Sequence, residues 1–198
     1  MACVGARPGR GSRRDAVRRT FHLIVLALAW VGCAGAPPDA DGWRVDGGLV
    51  PDEPWRGHDG PFLAQLVLTH GAKALYESWS AQPGAVPVHP EVHAVPGARV
   101  ETVVYFVRCQ PDGDGNCSVW GKATVEASDG RVLADGVEVP LWVDRPPPPS
   151  DGLGMSEHGI GLVLEDFAGS YTFRVVVTDR VAGREVALVQ ELAVARTE

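Results

Sequence analysis

The sequence predicts an all-β sandwich with one short helix near the start of its domain, and three observations carry that expectation. From residue 86 onward apolar side chains recur with a period of two, most clearly over Arg99–Cys109, Cys117–Glu126 and Tyr171–Val194. Turn signals such as Ser128-Asp129-Gly130 and Asp135-Gly136 break the chain into short segments of the kind that make sandwiches. A helical row occurs only at Ala72, Leu75, Tyr76 and Trp79, spaced i, i+3, i+4 and i+7.

The chain opens differently. Arg7, Arg10, Arg13, Arg14, Arg18 and Arg19 precede Phe21–Val31, which is apolar apart from His22. A basic stretch followed by an apolar run of about 7 to 15 residues is the pattern of an export signal. The run falls short of the roughly 18 to 20 apolar residues of a membrane-spanning helix, and no other run reaches that length, which excludes a polytopic membrane protein. Residues 1–32 therefore read as a signal peptide.

Val31-Gly32-Cys33-Ala34 resembles the lipobox of bacterial lipoproteins, in which the cysteine after a small residue is lipidated; Trp30 departs from the aliphatic residue usual there. That resemblance makes Cys33 the lipid-attachment residue. Ala34-Gly35-Ala36 also has the small-x-small form of an ordinary secretory site, which would give a soluble secreted product, and an uncleaved anchor is the third outcome. From 34 to 60, 16 of 27 residues are Pro, Gly, Asp or Glu without apolar periodicity, the composition of a flexible tether. Residues 33–60 are thus expected to form the lipid site and tether, with Trp43 and Trp55 docking on the domain, which spans 61–198.

Within that domain, Phe62–His70 is apolar on both parities, which suits a strand covered on both sides or a short buried helix. Gly71 ends it, and the helical row follows until Pro83-Gly84. Arg99–Cys109 and Cys117–Glu126 read as a hairpin joined by residues 110–116. With Cys109 opposite Cys117, Val107 meets Val119, Tyr105 meets Gly121, and Phe106 lies opposite Trp120 on the other face. Such a pair has Cα atoms about 4.5 Å apart, within disulfide reach. An even pair of cysteines in an exported chain reads as a disulfide, contributing about 2 kcal/mol by loop-closure entropy.

Shorter strands are expected near Val132-Leu133, Val137–Val143 and Ile160–Leu164. A last hairpin follows: Tyr171, Phe173, Val175 and Val177 alternate outward, a turn spans Asp179–Arg184, and Val186, Leu188, Leu192 and Val194 alternate back around the polar Gln190.

Glu165-Asp166-Phe167-Ala168-Gly169-Ser170-Tyr171, followed by an alternating strand, resembles the tyrosine corner of immunoglobulin-like and fibronectin-type III sandwiches. Across Leu66–Val194 the Trp79 helix, the Cys109-to-Cys117 hairpin, the Asp135-Gly136 turn, Leu141-Trp142 before the prolines and Gly169-x-Tyr171 with the Val177-Thr178-Asp179 turn resemble a group of bacterial exported, lipoprotein-type proteins with an immunoglobulin-like domain. The resemblance implies fold and export; the group has no established activity, so it implies no chemistry.

Catalytic and metal motifs are sparse. Asp112-Gly-Asp114-Gly-Asn116 alternates oxygens as calcium loops do, but an EF-hand would need Gly and Glu where Cys117 and Ala123 stand, so the loop reads as a turn. His89 and His93 share one face of an extended strand, and Pro90 prevents the helical clasp that would hold zinc; with His70 and His158 they read as surface histidines. Ser156-Glu157-His158 places three catalytic residue types in succession, whereas a triad converges from separate segments. Gly152-Leu-Gly154 lacks the strand and helix of a phosphate loop. No metal site and no cofactor is expected.

Composition agrees. The formal charge of −7 averages a basic signal with a remainder of 12 basic and 24 acidic residues after residue 32, a net charge of −12. Nucleic acid is excluded as a partner on that balance. The expectation is a non-catalytic binding or structural module of a bacterial envelope, located in the periplasm or on the outer membrane; the alternatives are metal binding in the periplasm through the histidines or the 112–116 loop and, behind it, a hydrolase or redox enzyme. The module would be held to the membrane through a lipid and would contact an envelope protein or polymer. Candidate contact residues are an exposed Phe106 and Trp120 pair and the stiff Pro146–Pro149 loop beside Trp142.

Overall fold

The computed structural model describes residues 42–45, 48–81, 92, 94–149, 153–164 and 169–195. The expected signal segment, Cys33 and the first part of the expected tether lie outside them. In chain order come β1 (Arg44–Val45), β2 (Gly48–Leu49), β3 (Arg56–Asp59), β4 (Phe62–Thr69), α1 (Ala72–Ala81) and β5 (Arg99–Val107). There follow β6 (Cys117–Ala127), β7 (Val132–Arg145), β8 (Gly154–Met155), β9 (Gly161–Val163), β10 (Gly169–Asp179) and β11 (Arg184–Val194).

Apart from the small β1-β2 pair, these strands form two antiparallel sheets, β3-β4-β5-β8 with β9 also on β5, and β11-β10-β6-β7. One core lies between them. Phe62, Leu66, Leu68, Val104 and Phe106 come from the first sheet; Val119, Val125, Tyr171, Phe173, Val177 and Leu188 come from the second. Each such large apolar side chain contributes about 1.5 to 3 kcal/mol when fully buried.

The double-sided apolar run resolves as a strand. The even residues of β4 face this core, while Val67 joins Val103, Tyr105 and Met155 in a second cluster covered by Ala72, Leu75 and Trp79 of α1. The helix starts where the sequence places it, and its orphan amide at Ala72 donates to Glu101 Oε2 (3.0 Å) on β5, which sets a negative charge against the positive helix end.

The last hairpin also forms as expected, with Tyr171 opposite Leu192, Val175 opposite Leu188 and Val177 opposite Val186. The expected first hairpin does not. β5 pairs with β4, β8 and β9, whereas β6 pairs with β10 and β7, so residues 108–116 cross from one sheet to the other. Arg108 turns into the left-handed region (φ 61°) to start that arch. Alternation does not decide this, because β5 is apolar on both parities: Val100, Val104 and Phe106 face the core between the sheets, and Val103 and Tyr105 face the second cluster. The disulfide forms across the arch, with Cys109 and Cys117 both buried and their Cα atoms 6.0 Å apart.

Two further corrections follow. β7 is one long strand, because Asp135-Gly136 makes a bulge in place of a turn: Gly136 is left-handed (φ 60°), between the pairs Ala123↔Val137 and Val125↔Ala134. The domain also begins before residue 61. Trp43 is buried and its Nε1 donates to Gly57 O (3.1 Å), while β3 pairs with β4 from Arg56↔Gln65 to Asp59↔Phe62. Composition predicted a tether through residue 60, but these contacts hold Trp43 and residues 56–59 to the domain.

Candidate functional site

Phe106 and Trp120 stand in different sheets and do not form a contact pair. Phe106 is wholly buried: its ring lies against Gly154, where an added Cβ would come within 2.3 Å of it, and its neighbour is Trp142, edge-on at 5.7 Å between ring centres. The exposed pair is thereby withdrawn, and Phe106 is a core residue. The period-two pattern gave it an outward face only under the hairpin pairing, which the structure does not have.

Trp120 keeps its place on a solvent side. It alternates with the buried Val119 and Gly121 along β6, donates Nε1–H to Ser118 Oγ (3.1 Å) and carries the Arg180 guanidinium 4.0 Å above its ring. Arg180 also pairs with Glu138 on β7 (3.1 Å), and Thr178 donates to Glu185 (3.3 Å). With Lys122 these side chains line a shallow groove of about 430 Å³. Two cations and two carboxylates line it beside the Trp120 ring, whose face carries Arg180.

Trp142 is half-buried and fixes the proline run: its Nε1 donates to Pro146 O (3.0 Å), and Arg145 stacks on its ring at 4.6 Å. Arg145 then reaches Glu157 Oε1 (2.7 Å). The prolines therefore leave β7 from an anchored start.

A cavity of about 350 Å³ lies beneath α1, lined among others by Lys73, Tyr76, Glu101, Ser156, Glu157 and His158. Its two carboxylates, Glu101 and Glu157, hold the helix. Ser156 is buried, with its Oγ accepting from Val104 N (3.0 Å), and Glu157 Oε1 accepts from the Tyr76 hydroxyl (2.8 Å). The Tyr76 bond, then Arg145, holds the Glu157 carboxyl below the usual carboxylate range. The Ala72 amide, then Arg99, does the same to Glu101. Carboxylates so held are ionised at neutral pH and have no proton to donate, which is the wrong state for a general acid. Ser156 is thus bonded to β5, Glu157 to α1 and the end of β7, and His158 is exposed.

The acidic loop behaves as a turn. Asp112 Oδ1 accepts from the amides of Asp114 (2.9 Å) and Asn116 (3.0 Å). Among the described residues no group of three metal-ligating side chains occurs. His70 donates Nδ1–H to Arg99 O (2.8 Å), His158 is exposed, and His89 and His93 lie outside the described residues. Sequence reasoning passed over Asp179, a wholly buried carboxylate that accepts from Gln110 N (2.7 Å), Val181 N (3.1 Å) and Ala182 N (3.3 Å). Its spacing before Gly183 marked a turn but gave no sign that it also reaches the disulfide arch.

No protein-family model matches the chain, and no curated protein does. Among solved structures it is similar to a family 123 glycoside hydrolase from Clostridium perfringens, at 8% identity and a TM-score of 0.38, over 68% of this chain and 28% of that one. The chain thus spans less than a third of that enzyme, and a likeness at this level assigns neither activity nor substrate.

Proposed function

We propose that this is an exported envelope protein, lipid-anchored at Cys33, whose immunoglobulin-like domain works by binding or support, without catalysis and without a cofactor. The observation that carries the reading is the Cys109–Cys117 disulfide, which uses both cysteines of the domain and suits an oxidising compartment. The basic and apolar N-terminal stretches and the acidic remainder support the same location. The groove at Trp120 is the contact surface on this reading, with the anchored proline run second; Phe106 has no part in it. The partner is an envelope protein or polymer, and nucleic acid is not one. A photoreactive side chain in place of Lys122, activated in the native envelope, tests this. A discrete adduct is expected whose yield Trp120→Ala lowers about tenfold or more, the effect of losing an aromatic anchor. No adduct, or one indifferent to Trp120, counts against it.

A further inference from the structure

β11 is the last strand of its sheet, and it is unusually fit to take another. It runs eleven residues, Arg184–Val194, in unbroken register with β10, without proline or bulge. The opposite edge, β7, is interrupted by Pro140 and by four register shifts, which no partner strand could follow. A long regular edge is a template for pairing unless something covers it.

What covers it is the segment that composition would assign to a tether. The outward amides of β11 are those of its odd-numbered residues. Glu185 N donates to Asp59 Oδ2 (3.1 Å), and Val189 N donates to Pro54 O (2.6 Å). Beyond the strand's end Ala195 N donates to Ala94 O (3.2 Å). The segment spends its own ladder bonds on β4 in the other sheet, and gives β11 only a carboxylate and a proline carbonyl. Trp55 lines a groove with Val189 and Gln190, and the strap passes so close that a Cβ on Gly57 would meet Val186 Cγ1 at 3.3 Å. Pro51 and Pro54 keep the strap from extending β11 itself.

We infer that residues 51–59 are an edge guard, and that the surface they cover is a latent pairing edge whose occupant is β11 of a second copy. A twofold antiparallel pairing centred on Val189 sets Glu185 opposite Ala193 and Ala187 opposite Glu191 of the second copy, so no acid faces an acid. On the core side it sets Val186 opposite Leu192. The inference concerns this edge alone and is independent of the groove at Trp120.

The test uses the full chain with Cys33→Ala, so that a lipid does not drive association, with and without Trp55→Ala/Asp59→Ala. Light scattering is expected to read a monomer for the parent and a concentration-dependent doubling of mass for the double variant. Adding Ala187→Pro, which removes an outward amide and no bond to β10, is expected to restore the monomer. A dimeric parent, a double variant that stays monomeric while its Glu185 and Val189 amides exchange fast, or a dimer indifferent to Ala187→Pro overturns the inference. If the double variant loses its near-ultraviolet circular dichroism, Asp59→Ala alone decides: it removes one acceptor and little packing, so a mass that stays constant with concentration overturns the inference as well.

Discussion

Tyr76 on α1 donates its hydroxyl to Glu157 at 2.8 Å across a separation of 81 residues, and Arg145 at the end of β7 meets the same oxygen at 2.7 Å. One carboxylate thereby joins the helix, the segment after β8 and the start of the proline run. Glu101 does similar work at the helix start.

Both carboxyls are held below their ordinary range in the folded chain. Their contribution to stability is therefore fully present above the unfolded carboxylate range and is lost as pH falls through the lowered folded values. Thermal melts from neutral pH into acid should show a falling midpoint in the parent and a flatter acid limb in Glu101→Gln/Glu157→Gln. An unchanged limb in the double variant would separate α1 docking from these two groups.

Asp179 joins the β10-β11 turn to the disulfide arch through three backbone amides. Removing the acceptor strands those donors, at about 1 to 3 kcal/mol for an unsatisfied buried group. Asp179→Ala should lower unfolding free energy by about 3 kcal/mol in urea with an unchanged slope, and Asp179→Asn should lose less.

The arch also contains the disulfide, and both its cysteines are buried. Reductant alone should leave Cys109 and Cys117 without a free thiol in the native state, read by mass mapping of alkylated peptides. In denaturant the bond should reduce readily, and the reduced chain should be about 2 kcal/mol less stable.

Gly159 sits on β5 so closely that a Cβ would stand 1.8 Å from Thr102 O, a backbone atom that cannot rotate aside. Gly113, in the acidic loop, has nothing within 4 Å of that position. Gly159→Ala should cost about 3 kcal/mol or more, and Gly113→Ala about 0.5 kcal/mol or less, by chemical denaturation.

Tyr105 offers a change in the other direction. Its ring packs on Trp79 at 5.2 Å, burial pushes its hydroxyl up to about 12, and among the described residues that hydroxyl has no hydrogen-bond partner. Tyr105→Phe keeps the packing and removes the orphan, so it should raise stability by about 1 kcal/mol.

These sites divide by how far they could be read from the residues. The last hairpin was legible because Tyr171 to Val177 and Val186 to Val194 alternate around a single turn, which admits one pairing. The α1 row was legible for the same local reason. Cys109 and Cys117 announced their bond but not their sheets, since β5 is apolar on both faces: Val103 and Tyr105 suit a hairpin partner as well as Val104 and Phe106 suit a facing sheet. Phe106 followed that error into solvent. Trp43 and Trp55 marked the segment before residue 61 as more than a tether, but polar composition outweighed two rings. Asp179, Glu101 and Glu157 were illegible in their tying roles because the distant element each one reaches, at Gln110, Ala72 and Tyr76, lies 29 to 81 residues away and leaves no local pattern.

Export with anchorage at Cys33 is read out by the mass of the N-terminal peptide from protein purified out of its own envelope. A chain beginning at Cys33 and carrying acyl chains on that residue is expected. An unmodified peptide beginning at Met1 would contradict export, and one beginning at Pro37 would contradict the anchor.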